Sequence, residues 1–272
     1  MEYKITEKGT EIYSGEAFDL INTFECGQCF RWNSDEKGIY KGIAYGKELS
    51  VEKDGNKVIL SCSEEDFLNI WRQYFDIEND YDEIRKEITE VCPELGEAVK
   101  SINGIRILAQ DPWEALCSFI ISQNNNIPRI KGIVNRLCEN FGELCEEGHS
   151  FPTAEKIAEY EAEDLSVLRA GFRAKYIIDA ARKVAGGEVR LYDMKDMPID
   201  ECRQELIRIK GVGAKVAECT LLYGLHRLEA FPVDVWMKKA LASEFSGVTP
   251  EGLGRYAGIA QQYIFHYVRN KA

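Results

Sequence analysis

The sequence predicts an α+β protein: a small N-terminal antiparallel β domain followed by a mostly helical body. Three observations predict it. Between residues 40 and 61 the segments ELSVEK and NKVILS flank Asp54-Gly55. Asp-Gly between alternating segments is the strongest short hairpin signal, because both central residues of a type I′ turn need positive φ. From about Glu64 the apolar period becomes helical, with Phe67, Leu68, Trp71, Tyr74 and Phe75 at i, i+3 and i+4 spacing. Charge shifts as well. Residues 1–100 hold 12 Lys/Arg against 23 Asp/Glu, a balance of −11, whereas residues 101–272 hold 22 against 23, a balance of −1.

Length and composition bound the rest. The 272 residues are enough for one large or two ordinary domains, and 45% hydrophobic with 29% charged residues is the mix of a globular chain. The first ten residues, MEYKITEKGT, hold no apolar stretch, so no secretory signal is expected there. No run approaches the roughly 18 apolar residues of a membrane span. Nine cysteines, an odd number spread through the chain, suggest reduced thiols in a cytosol-like compartment. The overall charge of −12 argues against nucleic acid only if it is evenly spread, and it is not.

The helical pattern continues through DPWEALCSFIISQ, PRIKGIVNRLCENFG, AEKIAEY, KYIIDAARKVAGG, ECRQELIRI and VGAKVAECTLLYGL, with Gly142 and Gly186-Gly187 as C-terminal stops. The division expected is residues 1–105 for the β domain with flanking helices and 106–272 for the helical body. Residues 201–224 would form a hairpin inside that body. Its two helices are separated only by Lys210-Gly211-Val212-Gly213. A turn that tight brings the helices together, and the second then starts with free backbone N–H groups. Gly211 and Gly213 therefore flank a ready phosphate site, although a plain αα-hairpin would use the same glycines.

Two residues extend the argument. Lys215 lies in the first turn of the second helix, facing the positive end of its dipole. That placement suits an amine that must be neutral to act as a nucleophile; a solvated surface lysine is the plainer reading. Asp234 is the single carboxylate in Phe231-Pro232-Val233-Asp234-Val235-Trp236. It is either a charge-stabilising group or simply a helix N-cap.

In K-G-V-G-x-K-V-A followed by P-V-D-V, the aspartate nineteen residues after Lys215, the sequence resembles the helix-hairpin-helix DNA glycosylases. Within that superfamily it is most similar to the 8-oxoguanine DNA glycosylase/AP lyases. The resemblance also rests on CGQCFRW (26–32), GIRILAQDPWE (104–114), SFIISQNNNIPRI (118–130), AGFRAKY (170–176) and YAGIAQQYIF (256–265). It implies a TBP-like β domain and a bifunctional enzyme acting on double-stranded DNA that holds 8-oxoguanine. Lys215 would attack C1′ and form a Schiff base, with Asp234 offsetting the oxocarbenium charge. Phe265 and Cys219 would sandwich the flipped base, a placement that fits Cys219 at i+4 from Lys215 and Phe265 at i+4 from Gln261. Gln261 would read the Watson–Crick edge, and the Gly27 carbonyl would accept the N7–H that guanine lacks. Asn124, Arg129 and Arg173 would fill the opened duplex and read the opposite base, expected to be cytosine. Asn-Asn-Asn as ordinary turn chemistry is the alternative.

The chain departs from the family pattern at three places. Trp236 stands where histidine is common, Phe172 where tyrosine is usual, and Val268 where an acidic residue falls. The phosphate contact near Trp236 is then lost or passes to an indole N–H, and opposite-base selectivity is relaxed. No metal and no cofactor are expected. No cysteine follows Cys219, which leaves no ligands for the iron–sulfur cluster of related enzymes, and Cys26-x-x-Cys29 has no second C-x-x-C to close a zinc site. The hairpin is a place for a monovalent cation. A monomer in the cytoplasm, at the nucleoid of a prokaryotic cell, is expected. Three rivals remain. An alkylated-base glycosylase would keep Asp234 without needing Lys215; a non-catalytic DNA-binding module or a pure interaction protein would need neither.

Overall fold

The computed structural model describes residues 1–271. A six-stranded antiparallel sheet forms first, in the order β1-β2-β6-β5-β4-β3. Its strands are β1 Glu2–Thr6, β2 Gly9–Tyr13, β3 Asn33–Ser34, β4 Tyr40–Ala44, β5 Lys47–Asp54 and β6 Lys57–Leu60. The hairpin expected around Asp54-Gly55 is the β5–β6 pair, with Asp54 opposite Lys57. Its turn is centred one residue later, on Gly55-Asn56, and Gly55 (φ 55°) is the one residue of the two at positive φ. The turn therefore needs a single left-handed residue rather than the two of a type I′ turn.

Period-2 alternation puts Ile12, Leu49, Val51, Val58 and Leu60 on one buried face. Against it packs an aromatic cluster centred on Trp32, which stacks on Phe24 at 4.5 Å and donates its indole N–H to Tyr74 Oη at 2.7 Å. Trp71, Tyr74 and Phe75 reach this cluster from the helical stretch that starts at Glu64. Leu68 does not; it is exposed. The backbone opens into a π turn over Phe67–Trp71, closed by Arg72 N–H to Phe67 O, and the extra residue breaks the 3.6 register that groups Leu68 with the apolar face.

The helical body has its own core, and the helices Tyr81–Val91 and Gly96–Ser101 contribute to it. Residues 81–102, counted with the β domain in the sequence, thus bury Tyr81, Ile84, Ile88 and Leu95 among the body's side chains. The helices Pro112–Ser122, Ile127–Phe141, Arg173–Ala185, Ile199–Ile207 and Ala214–Tyr223 follow the predicted segments closely. Caps explain their starts: Asp111 accepts the N–H groups of Trp113 and Glu114, and Asn126 that of Arg129. Gly142 and Gly186 stand directly after the helices that they were expected to stop.

The two lobes are joined through buried polar groups. Arg106 is fully buried, its guanidinium 4.2 Å from the Tyr81 ring centroid. It donates to the carbonyls of Phe75 (2.7 Å), Asp76 and Asn79 (3.3 Å), tying the end of the β domain to the body. Arg31 and Glu114, also buried, form a second tie at 3.4 Å. Arg106→Leu leaves those carbonyls without donors, at about 1–3 kcal/mol for each buried unpaired group. Its urea unfolding midpoint is expected to fall well below wild type, and an unchanged midpoint would remove Arg106 from this role.

Candidate active site

The hairpin turn is held from outside. Asp179 accepts the Lys210 N–H at 2.7 Å, and Lys183 Nζ donates to the Arg208 carbonyl at 2.6 Å. Gly211 sits at φ 82°, and a Cβ there would lie 2.3 Å from the Tyr176 ring. The backbone therefore turns directly against an aromatic face, where only glycine fits. Gly213 is the N-cap of the Ala214–Tyr223 helix and, having no side chain, leaves the first-turn N–H groups free of a side-chain cap. The exposed helix start anticipated from the spacing is present.

In the first turn of that helix, Lys215 points into the protein. Its Nζ lies 3.3 Å from Ser122 Oγ and 5.0 Å from the centroid of the Phe119 ring. Both partners belong to the Pro112–Ser122 helix, which packs along the Ala214–Tyr223 helix; Phe119 and Tyr223 stack at 5.3 Å. Cys219, one turn beyond Lys215, is buried. Burial pushes its thiol up to about 11, against the opposing pull of the Lys215 charge. Asp234 is an N-cap, as its plainer reading expects, with Oδ1 accepting the Met237 N–H at 2.8 Å. The cap does not exclude the other role. It fixes the carboxylate in the wall of the cavity that Lys215 also lines.

That cavity brings together Gly27, Lys215, Cys219, Asp234, Gln261 and Phe265. Sequence reasoning missed Cys26, Phe119, Tyr223 and Pro232 in its wall, and Ser122 beside Lys215. Cys26, Phe119, Ser122 and Pro232 lie inside the quoted motifs without a chemical signal of their own, and Tyr223 sits in an apolar stretch that reads equally well as core. The cavity measures about 50 Å³, room for water rather than for a purine. Gln261 is 3% exposed and its Oε1 has no hydrogen-bond partner. Neighbouring Gln262, by contrast, is engaged by the Tyr223 hydroxyl and by Cys26 O. Gly27 adopts φ 89°, and the space its Cβ would take is bounded by Arg269 and Ile127. The C-x-x-C thiols are turned onto backbone, Cys26 towards Thr23 O and Cys29 towards Phe24 O. Among the described residues no group of three or more His, Cys, Asp or Glu is placed to hold a metal ion.

The residues expected to meet the opposite base lie together on one loop system. Asn124 is exposed at φ 47°. Arg173, buried, spends four of its five N–H groups on the carbonyls of Gln123, Asn124 and Ala170. It therefore shapes the Asn124 loop from behind. Burial, and the exposed Arg129 facing it, hold the Arg173 guanidinium below its ordinary value. Phe172 is exposed with the Arg173 guanidinium over its ring at 4.6 Å, and Trp236 is exposed beside Lys239 at 5.4 Å. Val268 packs against the body's core.

Comparison with known proteins agrees with this geometry. Residues 12–116 match the 8-oxoguanine DNA glycosylase N-terminal domain, and residues 117–249 the HhH-GPD superfamily of base excision DNA repair proteins. The N-glycosylase/DNA lyase of Saccharomyces cerevisiae is 36% identical over 83% of this chain and 68% of its own length. The chain belongs to the 8-oxoguanine DNA glycosylase/AP lyase family. A solved family structure, the Clostridium acetobutylicum 8-oxoguanine glycosylase/lyase with double-stranded DNA containing cytosine opposite 8-oxoG, superposes with a TM-score of 0.93. It is 40% identical and covers 100% of this chain and 98% of that one. The 3-methyladenine DNA-glycosylase of Archaeoglobus fulgidus shares the fold, with a TM-score of 0.74 at 17% identity. The sequence-based fold, a β domain followed by a helix-hairpin-helix glycosylase body, is thus correct. Among the described residues no helix is long and apolar enough to cross a membrane.

In this member of the family the hairpin depends on Gly211. Gly211→Ala forces either the Tyr176 ring or the backbone to move, and overpacking of this kind costs about 1–3 kcal/mol. The unfolding free energy from urea denaturation is expected to drop by that amount, with DNA affinity falling alongside it. A variant as stable as wild type would show that the turn can shift freely.

Proposed function

We infer that the protein is a bifunctional DNA repair enzyme that excises 8-oxoguanine from duplex DNA and then nicks the strand at the abasic site. The observation that carries the reading is the one cavity shared by an amine, a carboxylate and a buried amide oxygen without a partner. The base has to leave the stack to reach it, at a cost of a few kcal/mol in stacking and pairing. The cavity has to widen to admit it, and Phe265 is the least buried of the three rings in its wall.

The chemistry follows from the residues. As the C1′–N9 bond lengthens, positive charge grows on the sugar and the Asp234 carboxylate offsets it. The neutral Lys215 amine forms the new bond at C1′, and the electron pair of the broken bond leaves with the base, which takes up a proton. Opening of the sugar ring gives the Schiff base. Loss of a C2′ proton then drives the C3′–O bond to break, and the 3′ phosphate departs. Ser122 Oγ holds Nζ against the Phe119 face, where the amine has few conformations to explore. In the pocket, Phe265 and Cys219 take the two faces of the base, Gln261 its Watson–Crick edge and the Gly27 carbonyl its N7–H. Asn124 and Arg129 meet the opposite cytosine on a loop that Arg173 braces, and Phe172 and Trp236 border the DNA. Gly211 and Gly213 present the hairpin N–H groups to a phosphate. The reading needs no metal or cofactor for catalysis, and a monovalent cation at the hairpin fits it. Its place of action is the DNA itself, the nucleoid in a prokaryotic cell.

A 3-methyladenine glycosylase of Bacillus subtilis is also related, at 28% identity over 72% of this chain. Lys215 separates the readings, because removal of an alkylated base by water needs no amine. Borohydride reduction of a reaction on duplex DNA holding one 8-oxoguanine is expected to trap a covalent protein–DNA adduct. Lys215→Gln should abolish the adduct while leaving binding to the damaged duplex largely intact; undiminished trapping would refute the assignment. Asp234→Asn keeps the cap geometry but not the charge. It is expected to slow base release at least a hundredfold, in line with the loss of about 3 kcal/mol of transition-state stabilisation. Excision at the wild-type rate by a normally folded variant would reduce Asp234 to a helix cap.

A further inference from the structure

The C-terminal helix Ala257–Asn270 carries Gln261, Phe265 and Arg269 at i, i+4 and i+8, a single face. Exposure rises along it, from buried Gln261 through half-buried Phe265 to exposed Arg269. At the helical rise per residue, Arg269 stands about 6 Å beyond Phe265 and about 12 Å beyond Gln261 along the axis. Its guanidinium reaches Gly27, which lines the pocket. Nη1 lies 3.7 Å from where a Gly27 Cβ would be, next to Ile127, the first residue of the helix that leaves the Asn124–Asn126 loop. Arg269 thus occupies the gap between the base pocket and the loop facing the opened stack. The backbone of a flipped nucleotide has to cross that gap.

Its charge is uncommitted. Arg255 and Lys271, on either side of it in sequence, pair with Glu87 and Glu244 at 3.1 Å each, whereas Arg269 makes no ion pair or hydrogen bond among the described residues. Its field reaches inward: burial first, and then Arg269, holds the His266 imidazole below its usual value. A cation in the last helical turn also suits the helix dipole, but that role requires only proximity to the terminal carbonyls, not a seat over Gly27.

We propose that Arg269 binds a phosphate of the flipped nucleotide. The helix face then meets that nucleotide in its own order: Watson–Crick edge at Gln261, ring face at Phe265, phosphate at Arg269. The proposal rests on the base-pocket reading above, and its test separates the two.

The test measures equilibrium affinity against salt concentration for two uncleavable duplexes, one with a tetrahydrofuran abasic analogue and one with a 2′-fluoro 8-oxoguanine nucleotide. Each phosphate neutralised contributes about 0.9 to the slope of log K against log salt. Arg269→Ala and Arg269→Gln should both flatten the slope by about that amount on both duplexes. Over roughly 50 to 200 mM salt, wild type then loses about 3.5-fold more affinity than either variant. Arg269→Lys, which keeps the charge, should restore the slope. An unchanged slope in Arg269→Ala, or a loss confined to the 8-oxoguanine duplex, overturns the proposal; the latter would make Arg269 a base contact. If wild type binds the 8-oxoguanine duplex no better than an undamaged one, the base-pocket reading fails instead, and the abasic duplex still reports on Arg269.

Discussion

The site depends on two helices packed side by side, Pro112–Ser122 and Ala214–Tyr223. The stacked Phe119 and Tyr223 rings set their spacing. With that spacing fixed, Lys215 has only one place to go, against the Phe119 face and within reach of Ser122. The hairpin turn fixes the other end of the arrangement. Because Gly211 lets the backbone rest on Tyr176, the Ala214–Tyr223 helix begins at the protein surface with its N–H groups outward and its first-turn lysine inward. The uncapped helix start and the placement of the amine are thus two consequences of one turn.

The electrostatics of the chain follow the same division. A net charge of −12 suits a protein that avoids nucleic acid, yet its acid is concentrated in the first hundred residues. Exposed cations follow site residues on separate elements: Arg129 after the Asn loop, Lys238 and Lys239 beyond Asp234, and Arg269 beyond Phe265 on the last helix. Local potential rather than net charge governs association with a polyanion. Lys239 lying over Trp236 adds a mixed cationic and aromatic edge beside the carboxylate, a surface suited to a sugar–phosphate backbone.

Much of this was legible in the sequence, wherever a local physical rule decides the outcome. The switch from period 2 to period 3.6 and the hairpin glycines describe constraints within a few residues or along one helix face, whereas the pairing of Lys215 with Asp234 was legible through the family resemblance. The β5–β6 turn falls one residue later than Asp54-Gly55 because Asp54 still pairs across the ladder, something only the register reveals. Leu68 departs from the periodic pattern because a π turn leaves no trace in an apolar spacing. Arg173 shows the deeper limit. The sequence gives an arginine beside a loop; only the fold shows that most of its donors are spent on the carbonyls of that loop. Tyr81 and Ile84 likewise follow the β domain in sequence but pack with the body, since packing partners are chosen in three dimensions.

Selectivity in such a pocket comes from what is left unpaired. Gln261 Oε1 is buried and has no donor among the protein groups, which leaves it open to a ligand N–H. A guanine-type edge carries such N–H groups. The Gly27 carbonyl works in the opposite sense. It would accept the N7–H of 8-oxoguanine but would face the N7 lone pair of guanine, so that two acceptors meet where no water fits between them. In the proposed reading one group would favour any guanine-like base, and the other would reject the undamaged one. The undamaged base is in vast excess, so this rejecting contact has to sit where neither residue can relax away. The Gly27 carbonyl suits that requirement, since it belongs to the backbone, at φ 89°, rather than to the free end of a side chain.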